Sequence, residues 1–116
     1  MKKSDFFFLF LIGTTVVFIS ALLIRAPGYM DAEYYASGGI RLFEGHGFTE
    51  TILWNYLDAP SSLPHPSHTY WMPLPSIIAA LGMWLFRSKS YLALQSGFIL
   101  LTGLIPVLTS YLSSLY

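Results

Sequence analysis

The sequence predicts an all-α membrane protein with about three transmembrane helices and a large non-cytoplasmic loop that contains a short amphipathic juxtamembrane helix. Three observations predict it. The run from Phe6 to Ile24, FFFLFLIGTTVVFISALLI, carries no charge, and neither do residues 69–86 or 91–116. Hydrophobic residues make up 54% of the chain and charged residues 10%, which leaves too little polar surface to cover a water-soluble core. Five of the six acids and all three histidines fall between Arg25 and His68, so the polar chemistry is gathered in one segment.

The first apolar run, residues 6–24, rises about 1.5 Å per residue as a helix and so crosses a hydrocarbon core of roughly 30 Å. A signal peptide is the competing reading, because Lys2 and Lys3 precede the run. The run is longer than a usual signal core, and IRAPG lacks the small-x-small pattern of a cleavage site, which favours a retained helix. The second span, residues 69–86, is of marginal length. Its Pro73 and Pro75 stand near the start, where a missing N–H costs little, and Tyr70 and Trp71 suit the membrane interface. The third, residues 91–116, contains Gln95 and Pro106, and the proline predicts a kink or a break. This span reaches the last residue with no closing polar segment. The expectation is therefore a single membrane-embedded unit over residues 1–116, the amino-terminal fragment of a larger polytopic protein with further carboxy-terminal membrane helices.

Basic residues near helix ends set the expected orientation. Lys2 and Lys3 before the first helix, and RSKS at residues 87–90 between the second and third, both read as cytoplasmic. The loop of residues 25–68 is then non-cytoplasmic. The net charge is zero and the basic residues are scattered, which argues against nucleic acid as a partner. The absence of cysteine excludes disulfides, thiol catalysis and thiolate metal sites.

Within the loop, residues 32–44 read as an interfacial helix that lies flat on the bilayer. Ala32, Tyr35, Ala36, Gly39, Ile40 and Phe43 recur at helical spacing, while Glu33, Ser37, Arg41 and Glu44 form the polar stripe. Gly45 fits the left-handed position that closes a helix. Gly38 and Gly39 each weaken the helix by roughly 1 kcal/mol relative to alanine, which points to close packing against another element. Asp31 stands where an N-cap is expected, accepting from the N–H of Glu33 or Tyr34. Two residues of helix turn the chain by about 200°, so Asp31 and Glu33 point to opposite sides and do not form a carboxylate dyad. Asp31 is the better placed base of the two.

Downstream, a proline-rich aromatic stretch holds His65-x-x-His68, with His65 expected in extended backbone. The two imidazoles, with Asp31 or Glu33 completing the set, are candidate ligands for a divalent cation. Hydrogen bonding to backbone, or to a phosphate when protonated, is the alternative. Trp54, Tyr56, Tyr70 and Trp71 fit interfacial anchors or a sugar-stacking platform. Tyr34 and Tyr35 fit the headgroup layer or a substrate groove. Arg25 fits a snorkelling anchor at the end of the first helix.

The order of these features resembles the amino-terminal part of the GT-C membrane glycosyltransferases, of the protein O-mannosyltransferase and aminoarabinose transferase kind. The matching residues are DAEYYASGGIRLFEGHGF, 31–48, and the later WMPLPSIIAALG. The resemblance implies transfer of a sugar from a polyprenyl-phosphate donor to an acceptor hydroxyl outside the cytoplasm. It implies Asp31 as general base and gives Glu33 a second catalytic role, although Asp-Ala-Glu departs from the adjacent acidic pair of the family. Candidate substrate-binding residues are Tyr34, Tyr35, Arg41, His65 and His68. A positioned carboxylate supplies about 10²- to 10⁴-fold to such a step. The implied setting is a multi-pass protein of the bacterial inner membrane with its amino terminus in the cytoplasm. The implied enzymes carry more membrane helices, so this chain alone is expected to be incomplete and inactive. Two other readings stand beside it: a small multi-pass membrane interaction protein without catalytic activity, and a transporter or channel fragment.

Overall fold

A computed structural model describes residues 3–53 and 59–115. Trp54, Tyr56 and Lys2, assigned to anchoring and orientation above, lie outside the described residues. The elements run α1 (Lys3–Leu23), α2 (Met30–Phe43), β1 (Thr49–Glu50), β2 (His65–Pro66), α3 (Leu74–Phe86), α4 (Tyr91–Gly103) and α5 (Ile105–Ser113). In space the helices form a row: α1 packs on α4 and α5, α4 on α3, and α3 on α2.

Among the described residues two helical segments are long and apolar enough to cross a membrane, α1 and the α4–α5 segment Tyr91–Ser113. Their surfaces fit that length. On α1 Phe7, Phe8, Ile12, Val16 and Ile19 are all more than half exposed, while Ala21 alone is buried. The expected second span is shorter than its apolar run. The helix begins at Leu74, with Pro73 as N-cap and Pro75 in the first turn, and ends after 13 residues. At 1.5 Å per residue this is about 20 Å, short of the roughly 30 Å a crossing needs. Of the three spans expected, two are therefore long enough.

The α4–α5 segment breaks where Pro106 predicts it. Leu104 ends α4 and begins α5, and the proline sits in the first turn of the new helix. Close approach joins this segment to α1. A Cβ on Gly13 would lie 2.9 Å from Pro106 Cγ, and one on Gly103 would run into Thr14. Phe6 and Tyr111 meet edge to face at 6.3 Å. These pairs make α1 antiparallel to α4–α5, which places Lys3 and the turn 87–90 at opposite ends of the helix pair. If both helical segments cross a membrane, these two basic groups lie on opposite faces. If α1 and α4–α5 both cross, everything between them emerges on one side.

The helix expected over 32–44 is α2, Met30–Phe43, and its start corrects the role given to Asp31. The N-cap is Tyr29, in extended backbone, with no side chain capping it. The Tyr29 carbonyl accepts from the Glu33 N–H at 3.1 Å. Asp31 thus lies inside the first turn, where its charge complements the helix dipole without closing the cap. The other end follows expectation. Gly45 has φ of 81°, its N–H donates to the Leu42 carbonyl, and the His46 N–H donates to the Arg41 carbonyl, the paired bonds of a Schellman stop.

Helices α2 and α3 run side by side in the same sense. Gly38 faces Ser76, Gly39 faces Ala79, and farther along Trp84 Nε1 donates to the Phe43 carbonyl at 3.3 Å. The buried centre is Ala36, Ala79, Met83, Ala93 and Leu94, with Ile40 and Phe43 against it. Small residues let three helix backbones approach here. Strands β1 and β2 pair antiparallel, Thr49 with Pro66 and Glu50 with His65, so His65 is extended as expected.

Candidate functional site

The buried polar groups collect where the strand pair meets α2 and α3. Tyr34 on α2 is 5% exposed, and its hydroxyl accepts from the His68 backbone N–H at 2.6 Å. The Tyr34 and His68 rings lie 5.2 Å apart, and Phe48 meets the imidazole edge to face at 5.5 Å. His68 has φ of 60°, a left-handed conformation uncommon for a side chain of this size, and the contacts around it hold it there.

The hydrogen bonds assign the tautomer of His68. Ser76, wholly buried on α3, donates its hydroxyl to the Tyr35 carbonyl at 3.0 Å. Its oxygen is then the acceptor for His68 Nε2–H at 2.9 Å. Nδ1 is left with its lone pair and receives the Ser67 hydroxyl at 2.6 Å. Burial favours the neutral ring and lowers the His68 pKa below its ordinary value. Beyond Tyr34, Glu50 and His65 form a second buried pair. His65 Nε2 is 3.1 Å from the Ile52 carbonyl and 3.4 Å from Glu50 Oε1. Burial first, and the Glu50 carboxylate beside it, raise the Tyr34 pKa, although the His68 N–H opposes this.

The candidates from the sequence divide into three places. Tyr34 and His65 are buried in this cluster, and His68 is half-buried beside them. Arg41 lies beside it, donating from Nε to Thr49 Oγ1 at 2.8 Å, and shares with Tyr34, Glu50 and Thr51 a cleft of about 170 Å³. Asp31, Glu33 and Tyr35 stand apart. Glu33 is exposed and accepts weakly from the Ser37 hydroxyl at 3.5 Å. Asp31 is half-buried, and among the described residues no hydrogen bond or ion pair engages it. Tyr35, one turn on and on the same face, lines an apolar groove of about 470 Å³ with Tyr29, Ala32, Gln95 and Phe98. This volume falls within the range of small-molecule sites. Gln95 Oε1 is buried there with no donor among the described residues.

The metal set expected from Asp31, His65 and His68 is not assembled. Among the described residues no three His, Asp or Glu side chains converge to hold an ion. The ring nitrogens of His68 are spent on two serines, and His65 turns to Glu50 and a carbonyl. Ser67, Ser76, Phe48 and Glu50 are members of the cluster that the sequence did not single out. One signal was present: Ser76 is the only hydroxyl side chain in LPSIIAALGMWLF. Comparison with family models, with curated proteins and with solved structures finds no match to this chain.

Proposed function

We propose that the chain is the acceptor-side, amino-terminal part of a membrane glycosyltransferase that moves a sugar from a polyprenyl-phosphate donor to an acceptor hydroxyl outside the cytoplasm. The observation that carries the reading is the position of Asp31. It is a half-buried carboxylate with no partner among the described residues, one helical turn before Tyr35, which lines an apolar groove walled by α1 to α4. A base needs an acceptor lone pair open to the incoming hydroxyl, and both Asp31 oxygens are open to one. The prenyl chain would lie in the groove, with the phosphate and sugar at its polar rim near Asp31. The acceptor hydroxyl gives its proton to Asp31 as its oxygen bonds to the anomeric carbon, and the bond to the donor phosphate breaks. Glu33, on the opposite face, supports the wet side of α2.

In this reading α1 and α4–α5 cross the bacterial inner membrane, with the amino terminus cytoplasmic and residues 25–90 outside. The test is a transfer assay on the product of the native reading frame in membranes, with a panel of polyprenyl-phosphate sugars. Labelled acceptor that depends on one donor is expected. No transfer from any of them, from protein that is folded and inserted, favours the second reading, a membrane interaction protein. That reading draws on the exposed apolar faces of α3, where Leu81, Leu85 and Phe86 are each more than half exposed.

A further inference from the structure

We propose that His68 is an acid-sensitive latch that fastens the segment 65–73 and α3 to α2, and that its protonation opens the contact. The latch joins three elements through one residue. Its backbone N–H binds Tyr34 on α2, its Nε2–H binds Ser76 on α3, and its Nδ1 receives Ser67 beside it. Gly38 lets the ring in, because a Cβ there would lie 3.0 Å from His68 Cε1 and 2.7 Å from Ser76 Oγ.

The surroundings are built for a neutral ring. Every bond around it fits the Nε2–H tautomer, and a proton on Nδ1 turns the Ser67 contact into two donors facing each other unless the hydroxyl reverses. The charged and titratable groups nearby do not compensate. On α2 they are Tyr34 and, across the adjoining cleft, Arg41, whose positive charge opposes an imidazolium. Glu50 on β1 interacts with Tyr34 and is already beside His65 on β2. Helix α3 carries no charged residue. The ring is half-buried, so a charge there keeps only part of its hydration and gains no anionic partner, and swinging out to water restores the rest.

The sign follows from burial, which lowers the His68 pKa in the closed form relative to the open one. The open form then binds the proton more tightly, so the closed contact is fully present above the ordinary histidine value. It weakens as pH falls from about 6.5 through the lower value of the closed form. Each unit of lowering is about a tenfold change in the opening equilibrium.

Hydrogen–deuterium exchange of the full chain in nanodiscs, corrected for intrinsic rates, tests this from about pH 8 to about pH 5. Protection of residues 34–40 and 65–72 should fall as pH drops below about 6.5, while the α1–α4 contact holds. His68→Gln keeps a donor for Ser76 but cannot titrate, and should exchange without this pH dependence. His65→Gln should keep it. Constant protection in the wild type, or an unchanged pH response in His68→Gln, overturns the proposal. Should His68→Gln fail to fold, ¹⁵N spectra of the wild-type histidines decide. The proposal requires an Nε2–H ring at neutral pH and a His68 titration midpoint that coincides with opening, and separate midpoints overturn it.

Discussion

Gly39 of α2 lies so close to Ala79 of α3 that a Cβ on the glycine would come within 2.7 Å of the alanine Cβ. The Ser76 carbonyl is the next atom, at 3.2 Å, so the clash cannot be relieved by a side chain alone. Gly39→Ala gains up to about 1 kcal/mol of helix propensity and loses about 1–3 kcal/mol to overpacking. Net destabilisation is expected in denaturant titrations in micelles. In an Ala79→Gly background the cost of the same change should shrink, because the opposing methyl is gone while the Ser76 carbonyl remains. Equal effects of Gly39→Ala in both backgrounds would place its cost elsewhere.

The carboxy-terminal end of α2 is fastened to the α3–α4 turn by an ion pair. Lys89 Nζ donates to Glu44 Oε1 at 2.7 Å, and this hydrogen bond with the lysine charge holds the Glu44 pKa below its ordinary value. A lowered carboxylate contributes stability that is present above its unfolded pKa and is lost as pH falls through the folded value. Lys89→Ala should return the Glu44 titration toward that of an ordinary glutamate, read by carboxyl ¹³C shifts. The effect on stability should be small, because both groups are at the surface.

Antiparallel packing of α1 on α4–α5 predicts where reagents reach the chain. No cysteine is present, so single cysteines report cleanly. Ser4→Cys and Ser88→Cys should be labelled from opposite sides of sealed vesicles by an impermeant maleimide, and Ser88→Cys and Ser37→Cys from the same side. Labelling of residues 4 and 88 from one side would restore the three-span arrangement that the charges alone suggest.

Much of this fold was legible because its signals are local. The uncharged run of α1 is its own evidence. The stop of α2 was written in Gly45, and the break before α5 in Pro106. The two glycines of α2 pointed to a close neighbour without naming α3. The start of α3 was misjudged because Tyr70, Trp71 and Met72 continue its apolar composition, while Pro73 and Pro75 delay the helix itself. Asp31 reads as a cap because aspartate favours that position, but the helix starts two residues earlier, with Tyr29 as its N-cap supplying the carbonyl. The cluster around His68 was out of reach for a different reason. Tyr34 and His68 stand 34 residues apart, and the Ser76 bond to the Tyr35 carbonyl spans 41, separations that no helical or strand period encodes. The expected histidine metal pair was a guess from spacing, and the partners that fill both rings come from other segments.

Asp31→Asn in the transfer assay is the most direct test of the central claim, that this carboxylate takes the acceptor proton. The change keeps size and shape, and Asp31 closes neither a cap nor an ion pair among the described residues, so α2 should remain folded. Transfer should fall about 10²- to 10⁴-fold with insertion and helix content unchanged, and Glu33→Gln should cost far less. Near-full transfer by Asp31→Asn, from protein whose circular dichroism matches the wild type, would contradict the account and leave Asp31 a charge at the start of a helix.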